Sequence, residues 1–288
     1  MKISGIMPAL VTPFQKDGSV NRSELRKLVR TLISDGAEGF YVCGSTAECF
    51  MLTMDERKSI VETVTEEVNG EVPVIAHVGT IWADQAADLA RHASTCGVTA
   101  ISSVPPFYYK FTFGEIVDYY KILSDATQLP LVIYNFPAFS GVSINAENIG
   151  DIMNCCNVGG VKYTDHNLFE LEKIRRHYPE LTIMYGHDEV LLNALPIGID
   201  GAIGSTFNAM APKYKRIIEA FDKGNMDEAS RIQHEASAIV ETLVGIGVFQ
   251  GVKYLLSKKG IECGGCRKPF RAITEKEKAR LDQIINLN

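Results

Sequence analysis

Short apolar runs alternate along the chain with longer segments in which apolar residues recur every three or four positions. The alternation repeats about every 25 residues, which is typical of successive strand–helix units. Most runs are continuous in Val and Ile, as in strands that are covered on both faces. Eight runs predict strands: ISGIMPALVTP, GFYVCGS, VPVIAHVG, AISSVPP, PLVIYNFP, VGGVKYT, TIMYGHD and DGAIGST.

The segments between these runs predict amphipathic helices with recognisable ends. Over residues 21–35 the apolar residues share one face, and Asn21 with Glu24 can form an N-terminal cap. Thr53 and Glu56 repeat this capping pattern before the next apolar face. Helices therefore follow the first two predicted strands.

Eight strand–helix units without a long linker predict an α/β fold, a closed (β/α)8 TIM barrel, and disfavour an open doubly wound sheet. More helical patterns follow the eighth strand than one barrel helix requires. We therefore expect a barrel over residues 1–224 and a C-terminal helical extension over 225–288 that packs on it. The patterns after the eighth strand are residues 212–223, 227–244, 250–258 and 275–285.

Composition and charge describe an ordinary globular chain of 288 residues, 46% apolar and 22% charged. The net charge is -6 and the pI about 5.6, and basic residues are dispersed, so a nucleic-acid partner is not expected. The N-terminal stretch MKISGIMPALVTPF lacks the apolar core of a secretory signal, and no run reaches the roughly 20 apolar residues of a membrane span. We expect a cytoplasmic protein with no membrane partner.

The cysteines and histidines predict neither a disulfide framework nor a metal site. Seven cysteines at irregular positions fit reduced thiols. The stretch CGGC at 263–266 has the spacing of half a zinc site, but no second CxxC or CxxH completes it. The six histidines form no HxH or HxxxH pair, and His187 beside Asp188 is the one suggestive neighbour. We expect no metal.

Polar side chains collect where the predicted strands end, which is the face on which TIM barrels carry their chemistry. These segments therefore hold the candidates for an active site. They are GSTAE (44–48), YNFP (134–137), KYTD (162–165), GHDE (186–189) and GST (204–206).

Lys162 lies inside a run that otherwise has the pattern of a buried strand. If Val161 faces the helix layer, period-two alternation turns Lys162 and Thr164 into the barrel interior. Burial disfavours the ammonium form and lowers the pKa of a lysine, so that more neutral amine is available to form a Schiff base. The alternative is an amine that reaches the barrel mouth or pairs with Asp188 or Glu189.

Two further groups support the Schiff-base interpretation. Tyr134 lies on the adjoining predicted strand, about 4.8 Å away, from where its phenol can relay protons. Ser45 and Thr46 follow a glycine in a turn whose N–H groups and hydroxyls suit a small carboxylate. A core tyrosine and a simple helix cap are the alternatives for these groups.

Together the segments GSTAE, PPFYY, YNFP and GVKYT resemble the family of pyruvate-dependent class I aldolases that includes N-acetylneuraminate lyase and dihydrodipicolinate synthase. The resemblance covers the whole chain. It implies that Lys162 forms the imine, that Tyr134 is the acid and base, and that Ser45 and Thr46 hold the pyruvate carboxylate. Ala47 stands where glycine is usual, and we expect it to crowd the turn slightly.

The pocket for the aldehyde half distinguishes branches of this family. Phe139 stands where dihydrodipicolinate synthases carry an arginine that binds a second carboxylate. Without this arginine, and with two carboxylates after strand seven, the pocket disfavours aspartate semialdehyde. The two carboxylates instead offer acceptors for a row of hydroxyls. The alternative is that they are solvated surface acids. GHDE and GAIGST resemble the neuraminate-lyase branch, which implies that these residues line the sugar chain: Gly186, Asp188, Glu189, Gly204 and Ser205.

The resemblance therefore implies reversible Schiff-base cleavage of N-acetylneuraminate to N-acetylmannosamine and pyruvate. The iminium is the electron sink, so we expect neither a metal nor an organic cofactor. Two enzymatic alternatives stay open, an aldolase for another sugar acid such as 2-keto-3-deoxygluconate and dihydrodipicolinate synthase. A sugar-acid sensor on the same barrel is the non-enzymatic alternative.

The resemblance also implies a homotetramer with the aromatic segment after strand four at a subunit contact. Phe107, Tyr108 and Tyr109 fit this role, because three consecutive aromatics are more apolar surface than a monomer usually exposes. Packing of these rings on their own barrel is an equal alternative.

Overall fold

A computed structural model describes residues 3–284 of the chain, and within them eight strands form one parallel sheet. Each strand lies inside one of the eight predicted runs, so all eight predictions are confirmed. The strands are β1 (Gly5–Pro8), β2 (Phe40–Val42), β3 (Val74–His77), β4 (Ala100–Ser103), β5 (Leu131–Asn135), β6 (Val158–Tyr163), β7 (Thr182–Tyr185) and β8 (Gly201–Gly204).

The sheet closes into a barrel. The strand order β1-β8-β7-β6-β5-β4-β3-β2 leaves β1 and β2 at its two ends. A parallel bridge between Ala9 and Tyr41 joins these ends, and the Leu10 N–H donates to the Tyr41 carbonyl at 2.9 Å. The predicted (β/α)8 barrel is confirmed, and an open doubly wound sheet is excluded.

Helices connect the strands and continue after β8. Their ends follow the predicted caps: Asn21 Oδ1 accepts from the Glu24 N–H, and Thr53 forms a reciprocal capping box with Glu56. In the described residues the α-helices are α1 (Arg22–Ser34), α2 (Met54–Val68), α3 (Ala83–Thr95), α4 (Phe113–Asp125), α5 (Pro137–Ser140), α6 (Ile149–Met153), α7 (Leu168–His177), α8 (Leu191–Ala194), α9 (Phe207–Asp222), α10 (Met226–Ile246), α11 (Val248–Lys258) and α12 (Glu275–Ile284).

Two apolar layers fix the direction of the β6 side chains. Val161 and Tyr163 belong to the large cluster between the strands and the helices. Tyr41 and Tyr134 belong to a smaller cluster inside the barrel, and the Lys162 amine lies over both of their rings. Period-two alternation therefore turns Lys162 inward, as the sequence predicted.

Of the four helices after β8, the last begins at Glu275 as predicted, and the first three begin earlier than the sequence predicted. α9 begins at Phe207 rather than at Pro212, and it contains a break at Met210, where φ is -130° and ψ is 23°. Pro212 has no N–H to continue the helical ladder, but it fits the first turn of a new helical segment. The predicted end of the last helix, residue 285, lies outside the described residues.

α10 holds the loop that follows β7. The Gln233 amide donates to the Asp188 carbonyl at 3.1 Å and accepts from the Leu192 N–H at 2.9 Å. Ser237 Oγ donates to the Glu189 carbonyl at 2.7 Å. α10 thus packs against the site end of the barrel, while the division of the chain at residue 224 stays a prediction.

A buried ion pair fixes α11 to the turn after β2. Lys253 Nζ lies 2.7 Å from Glu48 Oε1, and Glu48 Oε2 accepts from the Arg267 N–H at 2.7 Å. Both side chains of the pair are buried, and each carboxylate oxygen has a donor. Since a buried charge needs a partner, this contact holds the C-terminal segment against the barrel.

Among the described residues, no single helix has both the length and the hydropathy that a membrane span needs. α10 and α11 meet that test only as a pair, and a bend of 117° separates them.

Candidate active site

A cavity of about 420 Å³ lies at the carboxyl ends of the strands. Gly204 alone among the ten predicted site residues does not line it. Gly204 lies behind Asp188, where an added Cβ would collide with the Asp188 carboxylate. The nine that line the cavity are Ser45, Thr46, Tyr134, Lys162, Thr164, Gly186, Asp188, Glu189 and Ser205.

A surface cleft larger than this cavity lies elsewhere in the described residues. It has a volume of about 870 Å³, runs beside Phe14 and Arg267, and contains none of the predicted site residues. Because the reactive groups converge in the smaller cavity, we take that cavity as the site.

Lys162 is 5% exposed, and its amine is surrounded by aromatic surface. Nζ lies 3.9 Å from the ring centre of Tyr134 and 4.3 Å from that of Tyr41. Burial lowers the pKa of Lys162 to about 7, and the nearby charge of Asp188 opposes this shift. In the described part of the chain, no carboxylate lies within 4.0 Å of this amine, so the ion-pair alternative is wrong.

Tyr134 stands directly opposite Lys162 in the register of β5 and β6. Burial raises the pKa of the phenol, and the hydroxyls of Ser45 and Thr164 act in the opposite direction. The Thr164 hydroxyl is buried close to this phenol, and within residues 3–284 it makes no hydrogen bond of normal geometry to any other group. The site therefore holds a protonated phenol and a spare hydroxyl next to a dry amine.

The turn after β2 carries the two hydroxyl residues predicted to hold a carboxylate. Gly44 is required there, because an added Cβ would lie 2.5 Å from the Tyr41 ring. Thr46 Oγ1 lies 2.6 Å from Ser205 Oγ, and no side chain caps the short helix that begins at Ser45. These hydroxyls thus face the cavity, and the helix-cap alternative is wrong.

Ala47 fits into this turn without distortion. The positive φ angles of the turn fall at Cys43 and Glu48, so position 47 does not require glycine. Ala47 is buried, and its carbonyl accepts from Thr12 Oγ1 at 2.8 Å. The expected crowding is not observed.

Asp188 is buried and held in place by Thr206. Its Oδ2 accepts from the Thr206 N–H at 2.8 Å and from Thr206 Oγ1 at 2.6 Å. Burial raises the pKa of Asp188 to about 6, although the Thr206 hydrogen bonds and the charge of Lys162 lower it. Asp188 is therefore a fixed group with one oxygen engaged, not a solvated surface acid.

Glu189 differs from Asp188 in exposure and in partner. Its side chain is 37% exposed, and Oε1 lies 3.1 Å from His187 Nδ1. Burial raises the pKa of Glu189, but the hydrogen bond from His187 and other favourable interactions lower it by more, so the pKa lies below its ordinary value. Glu189 is thus the more accessible acceptor at the cavity mouth.

The opposite wall of the cavity is apolar. Phe136 stacks on Tyr134 with ring centres 5.8 Å apart, and Phe139 packs edge-on against Phe136. Phe139, which the sequence comparison set against an arginine of dihydrodipicolinate synthases, contributes an aromatic ring to this wall. Among the described residues that line the cavity, Lys162 is the only lysine or arginine, so no permanently charged side chain is left there to pair with a second carboxylate. Further apolar side chains come from Val240, Val244, Val248, Phe249 and Phe270.

Sequence reasoning missed three features of the site. Tyr41 packs on the reactive amine, and strand alternation could have placed it inside the barrel. Thr206 belongs to the quoted GST segment, yet its role depends on the approach of Asp188. No local pattern predicts that the imidazoles of His166 and His187 stack with ring centres 3.8 Å apart.

Comparison with known proteins gives consistent results. The model of the Dihydrodipicolinate synthetase family matches residues 2–288. The N-acetylneuraminate lyase of Citrobacter koseri is 40% identical over 276 residues, which is 95% of this chain and 93% of the relative. That of Escherichia coli strain SMS-3-5 is 39% identical over the same shares of the two chains.

Solved structures agree with the sequence relatives. CdNal from Clostridium difficile, crystallised with mannosamine, superposes with a TM-score of 0.96, 37% identity and coverage of 99% of each chain. N-acetylneuraminate lyase from Fusobacterium nucleatum has a TM-score of 0.93, 36% identity and coverage of 98% of each chain. A dihydrodipicolinate synthase from Bacillus anthracis has a TM-score of 0.95 at 26% identity, with 99% of each chain covered.

Proposed function

Because the chain belongs to the Dihydrodipicolinate synthetase family, we propose that it is a class I aldolase that reversibly cleaves N-acetylneuraminate to N-acetylmannosamine and pyruvate. One observation carries this proposal: the dry amine of Lys162 faces the Tyr134 phenol inside a cavity with acidic and hydroxyl groups on one side. A lysine with its pKa near 7 is a Schiff-base nucleophile at neutral pH.

Lys162 supplies the nucleophile. Its neutral amine attacks the C2 ketone carbon of the open-chain sugar acid and forms a carbinolamine. The C2 oxygen then leaves as water, taking one proton from the amine and one from Tyr134, whose raised pKa keeps it protonated beforehand. The products of this step are an iminium ion and a phenolate next to it.

Tyr134 then acts as the base. The C4 hydroxyl gives its proton to the phenolate, the C3–C4 bond breaks, and its electron pair moves into the iminium to form an enamine. C4 becomes the aldehyde of N-acetylmannosamine. Tyr134 returns the proton to C3, and addition of water to the new iminium releases pyruvate and restores Lys162.

The remaining site residues bind the substrate. Ser45 and Thr46 hold the carboxylate of the keto acid, and the spare hydroxyl of Thr164 faces the reacting C4 oxygen. The polyol tail extends past Ser205 toward the acceptors Asp188 and Glu189. Gly204 and Gly186 act indirectly, since they leave room for the side chains of Asp188 and Thr164.

The alternatives have weaker support. Dihydrodipicolinate synthase would need a cation for a second carboxylate, and Phe139 stands at that position. A sensor would gain nothing from a buried amine beside a phenol. An aldolase for 2-keto-3-deoxygluconate would use the same Lys162 and Tyr134, so a comparison of substrates separates it.

We expect the purified protein to release pyruvate from N-acetylneuraminate with a kcat/KM at least tenfold above that for 2-keto-3-deoxygluconate, because only the longer tail reaches Glu189. A coupled pyruvate assay measures both rates. Lys162→Met should be inactive, whereas the exposed control Lys121→Met should keep full activity. Faster cleavage of the shorter acid would contradict the proposal, and no cleavage of either would favour the sensor.

Replacement of one phenol tests the proton relay. Tyr134→Phe keeps the ring against Lys162 but removes the proton donor, so kcat should fall by about 10²–10⁴-fold. Tyr185→Phe is the matched control, since Tyr185 is buried in the outer layer and its hydroxyl contacts the Asp165 carbonyl. Steady-state kinetics should leave this control within about twofold of the wild type. A Tyr134→Phe enzyme with more than a tenth of wild-type kcat would refute the assigned role.

We also propose that the chain acts as a homotetramer in the cytoplasm. Tyr108 is 85% exposed, and Tyr109 is also exposed, whereas Phe107 packs against Phe50 and the inner cluster of its own barrel. The two tyrosines therefore support a subunit contact, whereas Phe107 packs on its own barrel, which was the alternative for this segment. The seven free cysteines support a reducing compartment.

Sedimentation tests the assembly. The wild type should sediment as a tetramer, and Tyr108→Asp with Tyr109→Asp should dissociate it, because carboxylates cannot be buried unpaired in an apolar contact. Phe169→Asp, at another exposed ring, is the control and should stay tetrameric. A wild-type protein that is only monomeric would contradict the proposal.

A further inference from the structure

Three potential metal ligands meet at the mouth of the cavity. His166 follows β6, while His187 and Glu189 follow β7. One nitrogen from each imidazole and one carboxylate oxygen all lie within 4.8 Å of one another. The imidazoles are nearly parallel, at 20°, with their centres 3.8 Å apart.

The separations suit a tetrahedral ion. Ligands about 2.0–2.1 Å from zinc lie about 3.3 Å apart on a tetrahedron. His187 Nδ1 and Glu189 Oε1 are already 3.1 Å apart, so an ion can replace the proton that they share. His166 would complete the set by turning its exposed ring out of the stack on His187, because a bound ion lies in the plane of each imidazole, and in the described part of the chain no hydrogen bond holds that ring.

We propose that His166, His187 and Glu189 bind a divalent transition-metal ion of the zinc type, with water at the fourth position. Two imidazoles and one carboxylate form a recurrent open zinc site, and the imidazole ligands disfavour Mg²⁺ and Ca²⁺. The site has no part in the Schiff-base chemistry, because Lys162 and Tyr134 lie deeper in the barrel.

Hydrogen bonds from α10 hold two of the three proposed ligands in place. Ser237 Oγ donates to the carbonyl of Glu189, and Gln233 donates to that of Asp188, so two ligands stand on a loop that α10 holds in place. The third ligand, His166, is exposed and is held only by its stacking on His187 within the described residues. Two ligands on a held loop and one exposed ligand allow an ion to enter without a rearrangement of the barrel.

The position of the ion has a consequence for substrate binding, which rests on the proposed function. Glu189 would be engaged by the metal and could no longer accept hydroxyl protons from the polyol tail. The ion would therefore compete with the sugar half of the substrate. It would leave imine formation between pyruvate and Lys162 unchanged, because that reaction lies at the other end of the cavity.

Calorimetric titration with ZnCl₂ of the chelator-treated protein tests the site directly. The wild type should bind one ion per chain at this site, His166→Asn should bind it at least tenfold more weakly, and the exposed control His177→Asn should match the wild type. The thiols are present in all three proteins, so the difference isolates His166. Equal zinc affinity of the wild type and His166→Asn would overturn the proposal, as would a wild type that binds no zinc at micromolar concentration.

A second pair of measurements tests the competition. Zinc should raise the KM for N-acetylneuraminate at least fivefold in the wild type but less than twofold in His166→Asn. Borohydride trapping of pyruvate on Lys162 should be unaffected by zinc in both proteins. Loss of trapping at the zinc concentration that inhibits would show that the ion binds deeper and would overturn this placement. A chain that does not cleave the sugar acid would refute the proposed function alone, since the calorimetric result is independent of activity.

Discussion

The desolvation of one amine controls the chemistry of this barrel. Lys162 is enclosed by the rings of Tyr41 and Tyr134, where water cannot stabilise an ammonium ion, and its pKa falls to about 7. About half of the amine is then neutral at pH 7, against about one in 3,000 for a lysine at its ordinary pKa. A close ion pair would oppose this effect, and the carboxylate of Asp188 is instead hydrogen-bonded through Oδ2 to Thr206.

The rest of the site follows from where the barrel places its strand ends. Parallel strands bring the ends of β5, β6 and β7 to one opening, so the Tyr134 phenol, the Lys162 amine and the loop that carries the two carboxylates converge there. The two carboxylates have different roles, since Asp188 is buried and fixed whereas Glu189 is accessible. α10 holds the loop that carries both, and Phe139 makes the opposite wall apolar.

Periodicity made the fold and the centre of the site predictable. Continuous apolar runs identified all eight strands, and alternation along β6 turned Lys162 inward beside Tyr134. The periodicity of strands does not predict contacts between loops. The stacking of His166 on His187 depends on how two loops approach, and the engagement of Asp188 by Thr206 depends on the absence of a side chain at Gly204. α9 starts before Pro212 because a first helical turn precedes the break at Met210. The sequence prediction started the helix at Pro212 and therefore omitted that turn.

A measurement of the pKa of Lys162 is the most direct test of whether its amine is desolvated. Competitive labelling with trace acetic anhydride between pH 5 and 11, with each lysine quantified by mass spectrometry, measures it beside the other lysines as internal references. Labelling of Lys162 should rise through a midpoint near pH 7, because only the neutral amine reacts. A midpoint near 10.5, the ordinary value for lysine, would show a hydrated ammonium and contradict the account.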